Sequence, residues 1–388
     1  MAQIGNFVMG GSFKRFILPT ALFFGGGFTV QAQLASGTIL VLDKGDPANG
    51  QSPILYAIDS SKNIRQLTDF GNTGQAQSKD SNGNPVLGVE PVSVSAANTL
   101  LGSTVILVAD DAAGTGQQGV VFKVDPVSGD YSVLSDGGKN APLSQEPVGV
   151  KVLPAGLLNL GAAAWLVDDD AGDGESGAVF NLDAGLGTRT MLSDGGNTTK
   201  GKQMSDPLAI DVLTVGGPVY ILDDGTEAAE AKGVLWSVNP SGQRVQVVDF
   251  GNPAGALSRD SNGQPVLGVD PVSLAMSAGL VLDDGAGTAV TDPESGQSVT
   301  SSALFKVNPN NGQFTRILDF GNPAQGPSGV ELANPLAVTA ASNGSNVTVL
   351  DENGSLYTVS PTANGTYKWS VLTELPNPFE PTALAIVQ

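Results

Sequence analysis

The chain has 388 residues, and its 38 acidic against 18 basic side chains give a net charge of −20, with no cysteine and no histidine. Disulfides, thiolate or imidazole metal sites, and every catalytic device built on a Cys nucleophile or a His base are thereby excluded. With 12 Lys, 6 Arg and a pI near 4.1 there is no basic stripe to neutralise phosphates, so cations rather than nucleic acid or anionic membrane surfaces are the natural partners.

At the amino terminus, Lys14 and Arg15 precede the apolar run Phe16 to Phe24, and small residues follow up to Val30-Gln31-Ala32. That is the charged, apolar, small-residue order of a secretory signal, so residues 1–32 are expected to be a signal peptide cleaved after Ala32, leaving residues 33–388 as one domain. Export to the periplasm or the medium follows. Removing Lys14 and Arg15 takes the charge from −20 to −22. No later stretch reaches the roughly 18 apolar residues of a membrane span, and membrane insertion is not expected.

From residue 36 onward a repeat organises the chain. A strand ending in Asp recurs six times, closing at Asp43, Asp110, Asp168, Asp223, Asp283 and Asp351, at intervals of 67, 58, 55, 60 and 68 residues. Each copy is followed by a second short run with an aromatic residue or Trp near its start, such as Val121-Phe122-Lys123-Val124 or Leu235-Trp236-Ser237-Val238, and then by a further strand such as Arg316-Ile317-Leu318. Short β-branched and aromatic runs separated by Gly, Pro, Asn and Asp read as strands and turns. Each unit opens on an acidic or amide residue and Pro: Glu90-Pro91, Glu146-Pro147, Asp206-Pro207, Asp270-Pro271, Asn334-Pro335 and Glu380-Pro381. Four antiparallel strands per unit at this period predict an all-β, six-bladed β-propeller. The first unit lacks its Pro-initiated strand, while the strand at 382–388 has no unit after it. The C-terminal strand is therefore expected to complete the first blade, pairing with residues 38 to 43 and hiding two free sheet edges.

Pro271-Val272-Ser273-Leu274 with Leu282-Asp283, Pro147-Val148-Gly149-Val150 with Val167-Asp168, and Pro335-Leu336-Ala337-Val338 with Leu350-Asp351 resemble the blades of the NHL-repeat-like six-bladed propellers of secreted bacterial proteins. The resemblance covers residues 36 to 388 and implies fold rather than activity, since such propellers include enzymes, receptors and scaffolds. Lyases of the virginiamycin-inactivating type need a His that this chain lacks. Calcium-dependent lactonases of the gluconolactonase type hold their metal with Glu, Asn and Asp, residue types that are present here without those enzymes' motifs.

Two sets of carboxylates are the candidate site. Glu90, Glu146, Asp206, Asp270, Asn334 and Glu380 each precede the innermost strand and are expected to ring the channel mouth, where like charges need a cation or retained protons. Oxygen ligands without nitrogen or sulfur point to Ca²⁺, and no Lys or Arg is expected near enough to relieve the repulsion. The strand-exit residues, from Asp43 through Asp110-Asp111, Asp168-Asp169-Asp170 with Asp173 and Glu175, Asp223-Asp224, Asp283-Asp284 and Asp351-Glu352, read as solvated turn caps. Residues 70 to 94 and 250 to 274 match at 17 of 25 positions, and their Asp80-Ser81-Asn82-Gly83 and Asp260-Ser261-Asn262-Gly263 segments read as Asx turns. No catalytic set stands out, so the expected function is a monomeric binding or interaction scaffold at the cell exterior for a protein, glycan or small molecule. The alternative is a calcium-dependent hydrolase or lactonase working at the channel mouth.

Overall fold

The computed structural model describes residues 33–46, 49–99, 102–139, 142–153, 163–213, 216–224, 232–291, 298–327, 334–363, 366–376 and 380–388. The expected signal peptide at 1–32 lies outside these residues. Six four-stranded antiparallel sheets succeed one another along the chain, with no α-helix among the described residues. Blades 2 to 4 are built from consecutive strands beginning at Pro91–Asn98, Pro147–Val152 and Pro207–Val212, and blade 6 from those beginning at Pro335–Thr339. Blade 5 starts at Pro271–Ala275 and carries an extra hairpin, Ala289–Thr291 with Ser298–Thr300, between its second and third strands. The six inner strands contact one another in a closed circle. The chain is a six-bladed β-propeller.

Blade 1 is assembled from both ends of the domain. The inner strand Pro381–Ile386 pairs antiparallel with Ile39–Asp43, in the register Ile39 to Ile386 and Val41 to Leu384. The clasp continues beyond the strand, since Val387 N donates to Thr38 O and Gly37 N to Val387 O, each at 2.9 Å, while Asn98 N of blade 2 donates to Gln388 O. Every residue of Ile39–Asp43 is buried, and Ile386 and Val387 are 4% and 1% exposed.

Two irregularities recur in every blade and shape the channel. Between the second strand and the inner strand, the residue after the opening Pro is skipped in the register: Val92, Val148, Leu208, Val272, Leu336 and Thr382. Such a bulge bends the strand and re-aims side chains, and all six skipped residues line the central channel. The second bulge lies in the outer strand opposite the aromatic of the third strand, at Tyr56, Phe122, Phe180, Trp236, Phe305 and Tyr357.

Neighbouring blades lock in two ways, and the outer-strand exit decides which. Where that exit reads Asp-Phe-Gly-Asn, at Asp69, Asp249 and Asp319, the Phe is buried against an aromatic opening the next blade's outer strand. Phe70 packs on Tyr131 (5.0 Å between centroids), Phe250 on Phe314 (5.3 Å) and Phe320 on Trp369 (6.0 Å), each with a third-strand aromatic beside them. Where the exit reads Ser-Asp-Gly-Gly, at Ser135 and Ser193, there is no Phe, and the next blade supplies a buried arginine instead. Arg189 donates to Ser135 Oγ and to the carbonyls of Asp136, Gly137 and Pro142, and Arg244 to Ser193 Oγ and the carbonyls of Asp194, Gly195, Asn197 and Lys202. A planar guanidinium with five donors can bond several loop carbonyls at once, which a phenyl ring cannot.

Candidate functional site

The mouth is positioned by a backbone bond that repeats in all six blades. The residue after the strand-exit Asp donates its N–H to the carbonyl of the residue before the inner-strand Pro: Lys44 to Glu380, Asp111 to Glu90, Asp169 to Glu146, Asp224 to Asp206, Asp284 to Asp270 and Glu352 to Asn334, at 2.7–3.2 Å. The Pro itself is packed from behind in three blades by a glycine opening the third strand. Gly119, Gly177 and Gly233 have φ between +67° and +77°, and a Cβ there would lie 2.2–2.5 Å from Pro147, Pro207 and Pro271, respectively. Only glycine meets both demands.

Two acidic tiers result, one from the residues before Pro and one from those after the strand-exit Asp. The strand-exit residues themselves are not solvated caps. Asp43, Asp110, Asp168, Asp223, Asp283 and Asp351 are 0–5% exposed. Asp110 accepts from Val89 N and Glu90 N, Asp283 from Val269 N and Asp270 N, and Asp43 from Glu380 N, so each ties the mouth loop of its blade to the sheet. Asp168 accepts from Ser144 Oγ, Glu146 N and Ala171 N, which makes it a buried anchor rather than part of a solvated loop. The sequence pattern showed these Asp residues ending strands, and only the fold shows the loop from the preceding blade closing over them. The Asx turns at Asp80 and Asp260 do form, with Oδ1 accepting two backbone N–H groups in each.

The six residues before Pro are brought to one mouth but are not equivalent. Glu90 and Glu380 are exposed and share a cation, Lys44, whose Nζ lies 2.7 Å from Glu380 and 3.7 Å from Glu90. The expectation that no basic group relieves the mouth is therefore corrected. Lys44 occupies in blade 1 the position that carries Asp or Glu in the other five, a signal already readable from aligned repeats. Asn334 turns aside to donate to Glu352 at 2.8 Å. Among the described residues, Glu146 alone of the six joins a compact cluster, with Asp169 and Asp170, whose ligand atoms lie within 4.8 Å of one another. Asp206 feels the charge of Asp224, and Asp270 those of Asp224 and Asp284.

Electrostatics follow this layout. Burial, then the charges of Glu90, Asp110 and Glu146, push Asp111 up to about 7, with Lys44 opposing. Burial, then Asp206, Asp170, Glu146 and Asp168, push Asp169 up to about 7. Burial raises Asp206 and Asp270, and the charge of Asp224 between them adds to both. Burial is also the main cause at Asp283, which reaches about 7. A carboxyl whose folded pKa exceeds its unfolded value near 3.8 binds more protons in the fold than in the unfolded chain between those two values, so stability falls as pH rises across them. In EDTA, the melting temperature is expected to drop between pH 5 and pH 8, most of the change falling below pH 7. A melting temperature that is flat or rises across this range would contradict the assignment.

No family model matches the sequence, and no curated protein does. Solved structures similar in fold include TolB from Acinetobacter baumannii, 9% identical, with 91% of this chain and 67% of that chain covered and a TM-score of 0.47. A 6-phosphogluconolactonase-like protein from Bacteroides uniformis is 11% identical, with 90% and 99% covered and a TM-score of 0.44. Kuenenia stuttgartiensis hydrazine synthase is 11% identical, with 86% and 83% covered and a TM-score of 0.45. At these identities the likeness extends to the propeller fold alone.

Proposed function

We propose that this chain is an exported, NHL-like propeller that acts by binding rather than catalysis, and that its mouth takes up a divalent cation, Ca²⁺ before Mg²⁺. The observation that carries the reading is the cluster of Glu146, Asp169 and Asp170, three carboxylates within 4.8 Å at the edge of the mouth, of which Glu146 and Asp169 are raised by burial and by neighbouring acids. Repulsion of that kind is relieved by a bound cation, and a flexible group of oxygens suits the six to eight ligands of Ca²⁺ better than a strict octahedron. Lys44 relieves the blade 1 side of the mouth, so the cation belongs on the opposite side, toward blades 3 and 4. The absence of His and Cys removes imidazole and thiol catalysis and favours a scaffold over a hydrolase.

The test is metal analysis of purified protein with melting curves in millimolar Ca²⁺ and in EDTA. A cation bound only by the folded state raises the melting temperature as RT ln(1 + [L]/Kd). Replacing Glu146 by Gln together with Asp169 by Asn should abolish most of that response while raising the EDTA melting temperature, because repulsion leaves along with affinity. Identical wild-type curves in Ca²⁺ and EDTA, with no metal retained, would overturn the cation site. Calcium-dependent hydrolysis of a panel of lactones would instead support the enzymatic alternative.

A further inference from the structure

Below the acidic mouth, the inner strands enclose a channel cavity of about 190 Å³. Its six-fold pattern breaks at the fourth residue after each Pro, where Ser95, Lys151, Asp211, Ala275, Thr339 and Ala385 occur in blades 2, 3, 4, 5, 6 and 1. Polar groups thus gather on one side. Lys151 Nζ lies 2.7 Å from Asp211 Oδ1, with side chains 17% and 7% exposed. Oδ1 is fully buried with the Lys151 ammonium as its partner, and Oδ2 accepts from Met276 N at 2.6 Å.

The neighbouring hydroxyls each accept one backbone N–H. Ser93 Oγ accepts from Val150 N, Ser95 Oγ from Val152 N and Ser273 Oγ from Val338 N, at 3.0–3.1 Å. Each serine keeps its own hydrogen to donate, and an ammonium carries three N–H donors, of which an ion pair with one oxygen uses at most one. The wall therefore offers several donors beside an ion pair whose carboxylate is already engaged. An anion would meet the donors but also the charge of Asp211 and of the acidic mouth. A cation would meet Lys151. A neutral hydroxyl avoids both conflicts, since it can accept from a spare ammonium hydrogen, and a second hydroxyl can take the serine donors.

We propose that the channel holds a binding site for a small neutral polyol, with one hydroxyl accepting from the ammonium of the Lys151–Asp211 pair. The cavity is equivalent to about six waters at roughly 30 Å³ each, which limits the ligand to a four- or five-carbon compound. This site is separate from the proposed cation site, so the experiment is run in EDTA.

The probes are erythritol and xylitol, with acetate and methylammonium as charged comparators, followed by isothermal titration and saturation-transfer NMR. Melting curves alone would mislead, because polyols stabilise most proteins by exclusion from their surfaces. Saturable binding of a polyol is expected, with acetate and methylammonium at least ten-fold weaker. Removing both charges together, Lys151→Met with Asp211→Asn, avoids stranding a lone buried charge and should weaken polyol binding at least ten-fold. Thr339→Val, a milder change on the channel wall, controls for folding and should leave the melting temperature nearly unchanged while weakening binding measurably. No saturable polyol binding by wild type up to 100 mM, stronger binding of either charged probe, or binding unaltered in a folded double variant would each overturn the proposal.

Discussion

Deleting residues 382–388 is expected to destroy the cooperative melt of this protein or to lower its midpoint by about 10 °C or more. The strand at Pro381–Ile386 is an inner strand, so its loss uncovers one face of the channel and the fully buried edge of Ile39–Asp43. Removing a buried aliphatic side chain costs about 2–5 kcal/mol, and Ile386 and Val387 are both in the core. For a domain of this size each kcal/mol moves the midpoint by about 2 °C. The exposed row of N–H and C=O groups would also invite pairing between chains, so light scattering should rise on heating. A soluble truncated protein with an unchanged midpoint would show that the clasp contributes nothing to ring closure.

Replacing Arg244 by Met should cost at least about 3 kcal/mol, more than most single changes in this chain. Arg244 is 4% exposed and its guanidinium is shared among Ser193 Oγ and four carbonyls of the preceding blade's exit loop. Met fills much of the same volume, so the loss comes from the guanidinium's hydrogen bonds, each worth about 1.5–3 kcal/mol when the donor is charged. Arg244→Lys should recover little, because a point ammonium cannot span five acceptors held in a plane. A chemical denaturation series gives the values directly. A cost below about 1 kcal/mol for the Met variant would mean that water satisfies the loop.

Two kinds of closure lock five of the six blade junctions, the Phe plug after blades 1, 4 and 5 and the arginine after blades 2 and 3. Blades whose outer strand ends in Asp-Phe-Gly-Asn carry their own apolar plug, and the next blade answers with Tyr131, Phe314 or Trp369. Blades ending in Ser-Asp-Gly-Gly leave a polar hollow that Arg189 and Arg244 fill. The duplicated segments at 70 to 94 and 250 to 274 each follow a Phe-bearing exit, and both run parallel to the next outer strand at Ala76 with Tyr131 and at Ala256 with Phe314.

Much of this was legible in the chain itself. The period of the Asp-terminated strands, the Pro opening each unit and the mismatch between its two ends determined six blades and a C-terminal clasp, because these signals are local: a strand must alternate or bury, a turn needs Gly, Pro or Asx, and an edge must be covered. Sequence also put Glu90, Glu146, Asp206, Asp270, Asn334 and Glu380 at the mouth. What it left open was direction and company. That Asp168 anchors the mouth from within, that Lys44 bridges Glu380 to Glu90, and that Lys151 meets Asp211 inside the channel all depend on contacts between residues about 20 to more than 300 positions apart. Strand periodicity says which side of a sheet a residue takes, whereas ring closure decides which residues of other blades it faces, and only that second fact sets the burial and the neighbouring charges that govern its chemistry.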